Sequence, residues 1–302
     1  MRALGRIFSI IFLAALIFAA TKSLIRALPG DPLETMMAET GTSIPPEVLR
    51  AQLGLDEPLP HAVVRDLGRA LHGDFGVSLI TGQPIAPILW RRLGKTAILA
   101  LMTLLISLAS SLTVAALAVR GSGMICRAAN RFCDVHAAIA AALPTAWIGP
   151  ALMVVFCVWI PLFPIGDSWI LPAITLSISF TGFWSLLLRD RIRDTLQLGF
   201  ANPARARGIP EWKVILKYGL APASGALLAY LGTQTGALLG GVFITEYIFD
   251  WKGMGMLLIE AVLKRDYPIV EAAAFFTAFF SLLGTALGDW AQSALATGRE
   301  PE

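Results

Sequence analysis

Long apolar runs, separated by short segments rich in charge, proline and glycine, set the pattern of this chain. The first follows Arg2 and Arg6, running from Ile7 to Ala20 and fading through Thr21 to Leu28. Others span about Thr96–Val119, Val135–Ile160, Ile170–Leu188, Leu220–Ile244 and Ile269–Leu287. A helix needs roughly 20 apolar residues to cross a bilayer, so the pattern predicts an all-α integral membrane protein of about six transmembrane helices. It divides the chain into a first transmembrane helix at 1–28, a long polar external loop at 29–93, a five-helix core at 94–296 and a short tail at 297–302. Within that core a basic loop at 189–219 parts the fourth run from the fifth. The first run would suit a signal peptide, but Phe18 spoils the small-x-small cleavage pattern at Ala19-Ala20. It reads instead as a membrane helix whose Lys22 and Arg26 snorkel to the far interface.

Breaks inside the runs carry further expectations. Pro144 interrupts the third run and is expected to kink it, either to line a pathway or only to pack. Gly232, Gly236 and Gly240 stand four apart on the fifth, a stripe that lets another backbone approach closely. That stripe serves helix packing, a pathway wall, or both, with Gln234 as its polar neighbour.

The basic loop is the most patterned polar stretch. Pro203 and Gly208 bracket a short helical turn of Ala204, Arg205, Ala206 and Arg207, preceded by Asn202. Ile209-Pro210-Glu211 starts a second helix, with proline in its first turn and an acid at its positive end. Helical spacing places Trp212, Ile215 and Leu216 on one face and Lys213 and Lys217 on another, with Gly219 as a stop. Between Arg189 and Lys217 seven Lys or Arg stand against three acids, whereas the turn at 161–169 has no basic residue. Cytoplasmic loops carry the excess of Lys and Arg, so this loop and the N-terminus are both expected in the cytoplasm.

Composition agrees with a membrane chain: 56% hydrophobic, 15% charged and a mean hydropathy of +0.69, against about 25% charged in soluble domains. A net charge of +3 gives no reason to expect nucleic acid. Cys126, Cys133 and Cys157 form no Cys-x-x-Cys pair and read as free thiols rather than a disulfide frame or metal site. Gly94-Lys95-Thr96 looks like the end of a phosphate-binding loop, but Leu89 occupies the position of its first glycine. His61, His72 and His136 are scattered and no nucleophile–base grouping can be argued, so neither an enzyme active site nor a metal is expected here.

Several polar motifs, in order, carry a resemblance. Pro29-Gly30-Asp31-Pro32, Gly54-Leu55-Asp56-Glu57-Pro58-Leu59 and Gly73-Asp74-Phe75-Gly76-Val77-Ser78 follow the first run. Ala204-Arg205-Ala206-Arg207-Gly208 lies in the basic loop. Glu246-Tyr247-Ile248-Phe249-Asp250-Trp251-Lys252-Gly253-Met254-Gly255 and Asp266-Tyr267-Pro268 come after the fifth run. Together they resemble the permease subunits of binding-protein-dependent ATP-binding-cassette (ABC) importers, in the dipeptide, oligopeptide and nickel branch. The chain departs from that pattern at Asn202-Pro203, where Glu-Ala is commonest. It departs again at Ala221-Pro222, in place of an Arg-Asn pair, and at Lys252, in place of a proline.

The resemblance implies a bacterial inner-membrane permease that forms a translocation path for peptides, nickel or metal chelates. It implies two ATPase subunits, a second permease subunit expected to be a different chain, an external substrate-binding protein and surrounding lipid. ATP and Mg would belong to the ATPase partners, with no cofactor in this chain. The loop from Asn202 to Gly208, with Trp212, would couple to the ATPase. Asp31, Asp74, Glu246, Asp250, Trp251 and Asp266 would form the external mouth or meet the binding protein; the plainer reading of the aspartates is turn formers and helix caps. An ion-driven secondary transporter is the rival, and it would favour carboxylates deep in the membrane. Only Glu271 and Asp289 lie near the sixth run, both towards its ends.

Overall fold

The computed structural model describes residues 2–27, 50, 57–164, 166, 168–197, 201–223, 230–231, 234–236, 238 and 242–297. Pro29–Pro32 with Asp31, Gly54–Asp56, Gly232 and Gly240 lie outside the described residues. Among the described residues the regular structure is helical, and extended backbone pairs only in an isolated bridge between Val77 and Pro84.

The helices are α1 (Arg2–Ala27), α2 (Leu59–Leu71), α3 (Ile85–Val119), α4 (Met124–Ala142) and α5 (Thr145–Met153), which continues as a wide turn over Val154–Trp159. They are followed by α6 (Ile170–Gln197), α7 (Ala201–Ala206), α8 (Glu211–Val214, continued by a wide turn over Ile215–Leu220), α9 (Phe243–Ile248), α10 (Met254–Leu263) and α11 (Tyr267–Thr297). By length and apolarity α3, α6 and the Tyr267–Trp290 part of α11 are able to cross a membrane. The α4–α5 pair passes the same test together, making a possible fourth span.

That pair corrects the third run. Instead of one kinked helix, α4 and α5 meet at a 103° bend. Leu143 and Pro144 are extended there, and Pro144 stands just ahead of α5. The cause is local: proline disfavours helical backbone in the residue before it but suits a helix start. α3 begins at Ile85, earlier than hydropathy suggests, because Arg91, Arg92 and Lys95 dilute the apolar signal while Ile85 and Leu89 give it a fully buried face.

Contacts divide the chain into two units, comprising 1–97, 236–247 and 252–283 in the first and 98–235, 248–251 and 284–302 in the second. In the first, Ile85 and Leu89 pack with Met254, Leu257 and Ala261 of α10 and with Ile269, Ala273 and Phe276 of α11. Phe18 of α1 meets Phe275 of α11 edge to face at 5.7 Å. In the second unit small and polar side chains bring spans together, as expected where lipid removes the hydrophobic drive between helices. Ser110 of α3 hydrogen-bonds Thr181 of α6 at 2.8 Å, and the Ser177 hydroxyl donates to the Thr103 carbonyl at 3.2 Å. Gly182 lets α6 touch α4: a Cβ there would lie 2.7 Å from Ala140 Cβ and 2.9 Å from the His136 carbonyl oxygen.

Candidate functional site

The basic loop is built as a knuckle on the ends of α3 and α6. Ala201 and Ala204 of α7, with Val214 and Ile215, are buried against Ala115, Leu188, Ile192 and Leu196. The exposed side of α7 presents Asn202, Pro203, Arg205, Ala206 and then Arg207 and Gly208. The small Ala204 seats the knuckle closely on its own spans.

Gly208 ends α7 as a left-handed helix stop with φ +74°. The Gly208 N–H donates to the Arg205 carbonyl at 2.9 Å and the Ile209 N–H to the Ala204 carbonyl at 3.2 Å, the paired closing bonds of a Schellman cap. Arg205 reaches over this corner to Glu211, with Nη2 2.7 Å from Oε1. The hydrogen bond from Arg205 holds the Glu211 carboxyl below the usual carboxylate range. The corner is thus closed by backbone and side chain together.

Two sequence expectations fail in α8. Ile215 turns inward beside Val214, leaving Trp212 and Leu216 exposed next to Lys213 and Lys217. Regular helical spacing sets Ile215 next to Val214 and about 100° round from Leu216, so the buried stripe falls on the Val214 side rather than on the Trp212 side. Gly219 does not stop the helix, which runs on to residue 223. It is a contact point: a Cβ there would lie 2.8 Å from Ile192 Cγ2.

The segment expected outside the membrane organises around two carboxylates. Glu246, fully buried on α9, accepts the Gly255 N–H at 2.7 Å and the Met256 N–H at 3.2 Å. The Thr96 hydroxyl donates to its other oxygen at 2.6 Å and accepts the Met254 N–H at 2.8 Å. Glu246 and Thr96 together cap the first turn of α10, where donors have no partner within the helix. Burial pushes the Glu246 carboxyl up to about 7, the opposing hydrogen bonds from Thr96, Met256 and Gly255 notwithstanding. Gly253 and Gly255 are glycines for a spatial reason: a Cβ would fall on the Glu246 carboxylate at the first and on Phe243 at the second.

Asp266, also buried, accepts the Ser78 hydroxyl at 2.5 Å and the Leu79 N–H at 3.3 Å. It ties the Gly73–Ser78 motif to the Asp266–Pro268 motif, so two patterns far apart in sequence form one contact. Asp74 accepts the Gly76 N–H at 2.9 Å and pairs with Arg69 at 2.8 Å. These bonds hold its carboxyl below its ordinary range. Asp250 is exposed with φ +52°, and Trp251 is buried. Within the first unit, Glu246, Asp266 and Asp74 each brace a turn or helix start. Of the fifth run's residues, Gln234 hydrogen-bonds Tyr230, and the Gly236 carbonyl accepts the Ser281 hydroxyl at 2.6 Å.

Sequence reasoning missed one charged cluster. Lys22 does not snorkel but is 3% exposed, with Nζ 2.8 Å from Asp66 and 2.9 Å from Glu271. Burial would raise the Asp66 carboxyl, but hydrogen bonds from Arg65 and Lys22 outweigh it and bring it down. The available signal was a lysine inside an apolar helix together with a glutamate early in another, each of which calls for a partner. A cavity of about 420 Å³ opens beside the cluster, walled by Phe18, Phe75 and Arg69 among others.

Residues 121–300 match the family described as "Binding-protein-dependent transport system inner membrane component". The chain is also similar to the glutathione transport system permease protein GsiC of Escherichia coli (strain K12) and of Shigella dysenteriae. Each is 31% identical over 278 residues, covering 90% of this chain and 88% of the relative.

Proposed function

The chain belongs to the inner-membrane components of binding-protein-dependent transport systems, as a permease subunit of an ABC importer, and from that premise we propose that it carries a small peptide of the glutathione type. The similarity to glutathione permeases along 90% of the chain carries this reading. In it the fifth run and α1 complete six spans, arranged with the four parts set out from the sequence: 1–28, 29–93, 94–296 and 297–302. The N-terminus and the α7–α8 knuckle face the cytoplasm, supported by Arg2, Arg6 and the cations between Arg189 and Lys217.

Two ATPase subunits, holding ATP and Mg, engage Asn202, Pro203, Arg205–Gly208 and neighbouring Trp212. A second permease, a different chain, completes the path, and an external binding protein delivers the peptide to the side of Asp31, Asp74 and Asp250. The knuckle suits a lever because its apolar side is packed on α3 and α6 while its polar side is exposed. Movement there is delivered to two helices at once, a rigid-body route for switching access.

An ion-driven mechanism finds no support in Glu271, whose carboxylate is occupied by Lys22. Uptake of a labelled tripeptide into vesicles holding the assembled importer, with ATP and without an ion gradient, tests the reading. Accumulation that needs ATP and the binding protein is expected; accumulation driven by a proton gradient alone would contradict it.

A further inference from the structure

Beside the knuckle's corner lies a groove of about 540 Å³ whose walls include Arg207, Lys213, Lys217, Trp212, Leu216 and Tyr218. Its three cations have no paired carboxylate among the described residues, and the nearby acid, Glu211, is held by Arg205. Lys213 Nζ stands 5.3 Å from the Trp212 ring centroid and Lys217 Nζ 5.6 Å from that of Tyr218. Trp212 and Leu216 are about half exposed, at 52% and 49%.

This surface is apolar and basic at once. Its charge calls for an anion, while its exposed indole and leucine call for hydrocarbon, and a free inorganic anion satisfies only the first. Aromatic and basic side chains of this kind concentrate at the membrane–water boundary. The chain enters the fifth apolar run immediately after Tyr218, which sets the groove at that boundary. We propose that the groove binds the headgroup of an anionic phospholipid. The phosphate sits between Lys213 and Lys217, and the first acyl carbons lie on Leu216 and Tyr218, with Trp212 and Arg207 at the end of the groove that borders the ATPase surface.

The site would let lipid charge steady the corner next to the surface assigned to the ATPase. Only its assignment to the cytoplasmic leaflet rests on the orientation proposed above. The binding test does not depend on sidedness, so the two readings fail separately.

Native mass spectrometry of the assembled importer, titrated with phosphatidylglycerol against phosphatidylcholine, measures retention. Lys213→Gln/Lys217→Gln is expected to weaken phosphatidylglycerol binding by roughly tenfold or more, since each cation near an anionic headgroup contributes on the order of a fivefold factor. Phosphatidylcholine retention should stay low in both forms. In the unaltered importer, phosphatidylglycerol labelled with a quencher near the headgroup should dim the fluorescence that Trp212→Phe removes. Unchanged phosphatidylglycerol retention in the double variant would overturn the proposal, as would equal displacement of the lipid by inorganic phosphate. Loss of the ATPase subunits from the double variant with lipid retention intact would assign the groove to the protein partner instead.

Discussion

Lys22 Nζ lies 2.9 Å from the Glu271 carboxylate, joining α1 to α11 in a place where both side chains are nearly closed to solvent. Asp66 of α2 completes the arrangement at 2.8 Å. A buried ion pair contributes little net stability, because desolvation offsets attraction, but removing one partner strands the other. Lys22→Met should therefore destabilise the folded chain by about 3–5 kcal/mol, read as a lower thermal midpoint in detergent. A variant as stable as the parent would show that Lys22 is not buried between the two acids.

The glycines around the Glu246 cap are not equivalent to the glycine of the knuckle. At Gly255 a Cβ would strike Phe243, backbone included, so Gly255→Ala should cost about 1–3 kcal/mol through overpacking. At Gly208 nothing lies within 4 Å of a Cβ, and Gly208→Ala should cost only about 1 kcal/mol, for the left-handed backbone. Paired thermal melts check the order; a larger loss at Gly208 would reverse the reasoning.

Glu246 gives the stability a pH dependence. Its folded carboxyl titrates at about 7, above the usual carboxylate range, because burial disfavours the charge. Stability from this group is full below the unfolded value and is lost as pH rises through about 7. The thermal midpoint should fall as pH rises from the unfolded value of 4.5 to about 7 and level off above it, and Glu246→Gln should flatten that slope. An unchanged slope in the variant would remove Glu246 as its source.

The separate polar motifs were legible in sequence, but what they do was not. Glu246, Gly253 and Gly255 stood out as a pattern, yet only the fold shows that two glycines make room for one carboxylate and that the carboxylate caps a helix. Ser78 and Asp266 belong to motifs nearly two hundred residues apart, and no local rule joins them. The turn at Gly208 was readable because a left-handed helix stop is a local matter. Ile215 was misplaced because spacing alone does not say which side of a short helix packs against Ile192 and Leu196. Lys22 was misread because hydropathy sees a lysine near a helix end, whereas its two carboxylates come from elements far along the chain. Pro144 marked a break, but the kink expected of it is a 103° bend between two separate helices.

The central claim is that the knuckle closed by Gly208 transmits the work of a separate ATPase to α3 and α6. Gly208→Trp tests it most directly, because the position is open and a large side chain there obstructs a partner without disturbing the chain's own core. In the importer reconstituted with its binding protein, ATP hydrolysis stimulated by peptide should disappear while membrane insertion of the variant persists. Stimulation equal to that of the unaltered importer would contradict the account.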